Sequence, residues 1–117
     1  MREQPNAEAL LEIARDVLKQ DILPLLPSDQ RYNLLMVANA MAIASRQCQQ
    51  GHEPEQEELK RWQQGLGSDA LLQSCAVEMS QNIRVGLYDS PDGRVQLAKM
   101  LVPSVRQRVL ESNPKAL

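Results

Sequence analysis

RYNLLMVANAMAIASRQCQQ, Arg31–Gln50, decides the fold: from Leu34 to Ala44 every residue is apolar except Asn39. A helix greasy on all sides has no face to give to water, so the segment predicts a central buried helix with neighbours on several faces. Around it the spacing predicts an all-α fold, a compact bundle of about five helices. The bundle is expected to form one helical domain over residues 1–117. No segment alternates with period two over strand length, and no internal repeat or low-complexity tract is present.

The flanking segments supply the neighbours. Asn6 stands where a helix needs an acceptor for its free amides, and Ala7, Leu10, Leu11, Ala14, Val17, Leu18 and Ile22 recur at steps of three and four. Pro24 disfavours helical geometry at Leu23 and predicts a stop near Ile22, with PLLP as a greasy corner. Ser28 is the expected cap of the central helix, Asp29 to about Gln50, which Gly51 closes. Pro54 and the glutamates behind it predict a short third helix, a peripheral cover with Leu59, Trp62 and Leu66 on its apolar side. Gly65 and Gly67 are expected to break the chain there.

A fourth helix is expected behind a Ser68 cap, with Leu71, Leu72, Cys75, Ala76, Met79 and Ile83 as its stripe and an end by Tyr88. Ser90 followed by Pro91 predicts the start of a fifth, whose buried side would be Val95, Ala98, Leu101, Val102, Val105 and Val109. Pro103 lies inside that pattern and predicts a kink or a break.

Composition narrows the function. The chain has 117 residues, 43% of them hydrophobic, with Trp62, Tyr32 and Tyr88 as its only aromatic residues. The core must therefore be aliphatic and methionine-rich. Thirteen basic and fifteen acidic residues leave a net charge of −2, which gives phosphate backbones and anionic lipid no global field. No nucleic-acid and no membrane partner is expected. The start, MREQPNAEALLE, carries acids where a secretory leader needs a basic segment and an apolar run, and no stretch reaches the length of a membrane span. Cys48 and Cys75, far apart and without a CxxC pattern, suit buried reduced thiols of a cytoplasmic protein better than a disulfide framework.

Each apparent motif has a duller explanation. GLGSDA, 65–70, matches the dinucleotide pattern G-x-G-x-x-A, but a charged helix precedes it where a strand is required. His52, the only histidine, sits in HEPEQ without the second histidine of a zinc motif, and Gln49 stands where a di-iron bundle would place a glutamate. Glu53, Glu55, Glu57 and Glu58 read as a solvated helix start and not as a cation site. Neither cysteine has a base nearby in sequence. No catalytic residue, no metal ligand and no cofactor site is assigned. From Arg94 onward five basic residues face one acid, Glu111, and without interleaved aromatics this suits a solvated face or an acidic partner's dock better than a nucleic-acid groove.

Asn39 and Arg46, seven residues apart, share a helix face with Tyr32, Leu35, Met36 and Ile43. Together with Trp62 they are the candidate ligand or partner contacts. If Asn39 is buried and hydrogen-bonded to a neighbouring helix, Asn39→Ala should destabilise by about 1–3 kcal/mol. Arg46 is expected to pair with a carboxylate such as Glu78.

MREQPNAEALLEIAR, RYNLLMVANAMAIASR and VLESNPKAL together resemble a bacterial family of small helical domains of unknown function. Its members are often encoded beside an aminoglycoside-phosphotransferase-like kinase and an acyl-CoA dehydrogenase, which implies an accessory role in acyl-CoA catabolism. The resemblance brings no catalytic residues with it. The resulting expectation is a non-enzymatic interaction module of a metabolic enzyme, acting in a homodimer or a hetero-complex. The alternative is a small-molecule or acyl-group binding protein with its pocket between helices two and four.

Overall fold

In the computed structural model, which describes residues 4–117, the chain is helical, with five α-helices and no strand among the described residues. Met1 to Glu3, part of the stretch read above against a secretory leader, lie outside the described residues. The chain divides into two compact units, Met1–Gly51 and His52–Leu117.

In the first unit Asn6 starts α1, Ala7–Val17, as its spacing predicts, its Oδ1 accepting from the Ala9 amide at 3.0 Å. Pro24 then acts over several residues. It has no N–H to continue the ladder, and the chain ahead of it widens into a π-turn, Leu18–Ile22, yet Leu23 keeps helical geometry, contrary to expectation, with φ −50° and ψ −45°, and opens a 3-10 turn, Leu23–Leu25. The central helix α2 is Ser28–Gln50. Pro27 occupies its cap position and no side chain caps it, so Ser28 is its first residue and not its cap.

Burial of α2 departs from the expectation of neighbours on several faces. Leu34, Ala38, Ala42 and Ser45 are buried, one stripe at steps of four, four and three, while Leu35, Met36 and Val37 are exposed. The small residues of that stripe let α1 come close enough for a side chain of each helix to hydrogen-bond the backbone of the other. Arg15 Nε donates to the Ala38 carbonyl at 3.2 Å and Ser45 Oγ donates to the Glu8 carbonyl at 3.3 Å. Seven residues forward on α1 thus match seven residues back on α2, the register of an antiparallel pair. One packed neighbour covers one face, and a two-helix unit has no others to offer.

The second unit holds the larger core. Helix α3, Glu53–Leu66, carries Pro54 in its first turn and ends at Gly67, whose φ of 65° is the left-handed conformation a glycine adopts without strain. The Ser68 amide closes that end on the Gln63 carbonyl at 3.1 Å. Ser68 caps nothing further on: its Oγ accepts from Ala70 N at 3.1 Å, and α4 begins at Leu72; it ends at Arg84, before Tyr88 as expected. Ser90 does cap α5, Pro91–Ser112, its Oγ accepting from Gly93 N at 3.0 Å.

Trp62, Cys75, Met79, Tyr88 and Met100 form the core of this unit, with Leu59, Leu66, Leu72, Leu97 and Leu101 packed around them. Helix α3, expected as a peripheral cover, is therefore central here because Trp62 is its core residue. Gly65 does not break the helix. It permits close approach of α5, since a Cβ there would lie 2.8 Å from Met100 Cγ and still nearer its Sδ.

Candidate functional site

Polar contacts in the second unit converge around Pro103, which does not break α5. The helix runs on through Pro103, which has no N–H to return to Lys99 and crowds that carbonyl. One residue along, the Met100 carbonyl receives donors from α3: Trp62 Nε1 at 2.9 Å and Arg61 Nε at 3.3 Å. Arg61 Nη2 also donates to Ser104 Oγ at 2.8 Å. Two adjacent residues of α3 thus tie down the turn that proline weakens. Trp62 is buried in this cluster, so its indole serves the α3–α5 contact.

Asn39 and Arg46 occupy other surroundings. Asn39 is exposed on α2 and Arg46 is half-buried. Tyr32, Leu35 and Met36, on the same face, are exposed as well. The cost expected for removing a buried amide therefore does not apply. Asn39→Ala should leave stability unchanged or raise it by up to about 0.7 kcal/mol, the gain in helix propensity at an exposed interior position. Thermal melting by circular dichroism checks this, and a drop in Tm worth about 1 kcal/mol or more would restore a buried structural role.

The chemistry of the other candidates is modest. Cys75 is fully buried as expected, its Sγ 3.5 Å from the Ala70 carbonyl, whereas Cys48, expected to be buried too, is exposed. Among the described residues no group of three or more histidine, cysteine, aspartate or glutamate side chains is placed to hold a metal ion. Every buried side-chain nitrogen and oxygen among them is hydrogen-bonded, so none is left aimed at a ligand. An open groove of about 340 Å³ runs along α4, lined by Gln73, Ala76, Val77, Ser80, Gln81 and Arg84. It contains none of the candidate contacts Asn39, Arg46 and Trp62.

The strongest surface feature is on α5, where the expected buried side is corrected. Gly93, Met100 and Ser104 are buried and Leu97 and Leu101 half-buried, whereas Val95, Val102 and Val105 are 56%, 52% and 57% exposed. Ala98 is exposed and Val109 half-buried. The helix has two apolar faces. The sequence contained the signal: Val95, Ala98, Val102, Val105 and Val109 follow steps of three and four, and Gly93, Leu97, Met100 and Ser104 repeat the same steps on the opposite side. Periodicity finds both stripes but does not say which one the core takes.

No helix among the described residues is long and apolar enough to cross a membrane. No curated protein and no solved structure matches the chain. A family model matches residues 24–116, from the 3-10 turn before α2 to the last residue but one, with α1 lying ahead of the match. With most of its length in that match, the chain belongs to the family of domains of unknown function designated DUF6285.

Proposed function

We propose that the protein is a non-enzymatic interaction module, an accessory to a cytoplasmic metabolic enzyme of the acyl-CoA or phosphotransferase kind that its resemblance implies. The observation that carries this is the exposed valine stripe of α5, on the side of the helix away from Met100 and the core. A row of β-branched side chains left in water costs free energy that a partner's surface recovers. A small-molecule or acyl-group site at Asn39 and Arg46 has less support, since Asn39 is exposed and helical pockets for such ligands enclose their polar contacts.

The test compares affinity purification from the native cell using the parent chain and a Val102→Ser, Val105→Ser double variant. Both positions are exposed, so the variant should melt within about 0.5 kcal/mol of the parent. A protein retained by the parent and lost by the variant supports the reading. Identical protein profiles, or a small molecule released equally from both, overturn it.

A further inference from the structure

We propose that the valine stripe of α5 docks an acidic amphipathic helix of another protein, which would lie along Val95, Ala98, Val102, Val105 and Val109. This rests on the interaction role proposed above and adds the chemistry of the partner.

The spacing argues for a helix as the occupant. Steps of three, four, three and four keep the five apolar positions in one narrow line, the seam of a two-helix contact, and β-branched side chains suit such seams. Helix α5 is already held from its other side by the Met100–Trp62 and Ser104–Arg61 hydrogen bonds, so the seam is presented on an anchored element. It needs no ordering before it binds.

Charge identifies the partner's chemistry. In a helix pair of this spacing the residue just before Val95, Val102 or Val109 and the residue just after Ala98 or Val105 meet their counterparts on the other helix; half-buried Leu101, before Val102, is the uncharged one among them. Here Arg94 precedes Val95 and Arg108 precedes Val109, while Lys99 follows Ala98 and Arg106 follows Val105. All four cations are exposed. Asp92, in the first turn of α5, is the acid on these flanks; Glu111 lies off them and accepts from Gln107 Nε2 at 3.1 Å. A second α5 laid on this seam would set cation against cation in either direction, which disfavours pairing of two copies and favours glutamate or aspartate at the partner's flanks. The stripe is of valine and alanine, without the Trp, Phe or Leu that sink an amphipathic helix into lipid, and without the aromatics that stack nucleic-acid bases.

The test uses the full chain and synthetic helical peptides of about three heptads, with identical valine and leucine seams and glutamate, lysine or glutamine at the flanks. Binding is read by calorimetry at low ionic strength. The glutamate peptide should bind about ten- to a hundredfold more tightly than the lysine peptide, with the preference shrinking as salt rises. Val102→Asp should abolish binding. Because that variant also alters the helix surface, a second one, Arg94→Glu, Lys99→Glu, Arg106→Glu, Arg108→Glu, should reverse the preference and bind the lysine peptide.

If the glutamine peptide binds as tightly as the glutamate peptide and Val102→Asp abolishes both, the stripe is a protein dock but the acidic identity of the partner is wrong. If no peptide binds, the dock itself falls, and the interaction role with it. Self-association in sedimentation that Val102→Asp removes would make a second copy the occupant and overturn the proposal. So would valine-dependent binding to phosphatidylserine-containing vesicles in place of the glutamate peptide.

Discussion

Trp62→Ala should destabilise the protein by about 3–5 kcal/mol, the usual cost of emptying a tryptophan site in a packed core. Trp62 is 7% exposed and shares its core with Cys75, Met79, Tyr88 and Met100. Few neighbours can move into the space. Gly65 already brings α3 against Met100, and Met100 is held by the carbonyl contacts around it. The hydrogen bond is the smaller part of the loss, because the Met100 carbonyl keeps Arg61 Nε at 3.3 Å when the indole donor is gone. Trp62→Phe, which retains a ring but loses the donor, should therefore cost clearly less, about 1–3 kcal/mol. Urea denaturation should be followed by far-ultraviolet circular dichroism, since Trp62 is the only tryptophan and its fluorescence is lost in both variants. A cost for Trp62→Ala below about 1 kcal/mol would show that the indole is not in the core.

Gly93→Ala should destabilise by about 1–3 kcal/mol, opposite in sign to the gain of up to about 1 kcal/mol that replacing a helical glycine by alanine ordinarily brings. The added Cβ would lie 2.7 Å from Tyr88 Cα and 2.9 Å from Tyr88 C, which are backbone atoms with no rotamer to escape into. It would also lie 3.0 Å from Ser90 Oγ, the atom that caps α5. Tyr88 cannot yield easily, because its ring is buried and its hydroxyl accepts from Asn82 Nδ2 at 3.3 Å. The substitution thus strains the turn before α5 and its cap together. Equilibrium unfolding measures the sign, and a stabilised variant would mean that this turn relaxes freely.

Amino-acid order determined the elements. Asn6, the Ser90–Pro91 pair and Gly67 act through atoms within a few residues of themselves, so the starts of α1 and α5 and the end of α3 were legible without any neighbour. The all-α class followed from the same local periodicity. Ser28 and Ser68 misled because several residues in such a segment can accept a helix amide. Which one does depends on the path of the chain before it.

Tertiary structure decided the faces. The apolar run of α2 implied neighbours all round, yet Leu34, Ala38, Ala42 and Ser45 are its buried residues, with Met41, Ile43 and Ala44 half-buried and Asn39 left in water. On α5 two stripes of equal regularity competed, and the core took the one that puts Met100 beneath Trp62 and beside Gly65. Periodicity is a property of one helix, whereas burial belongs to a pair. The shape of the facing surface, here an indole and a residue without a side chain, chooses between stripes that hydrophobicity alone cannot rank. The valine stripe, with its four cations, became a candidate docking face only once the structure had assigned the core to the opposite side of the same helix.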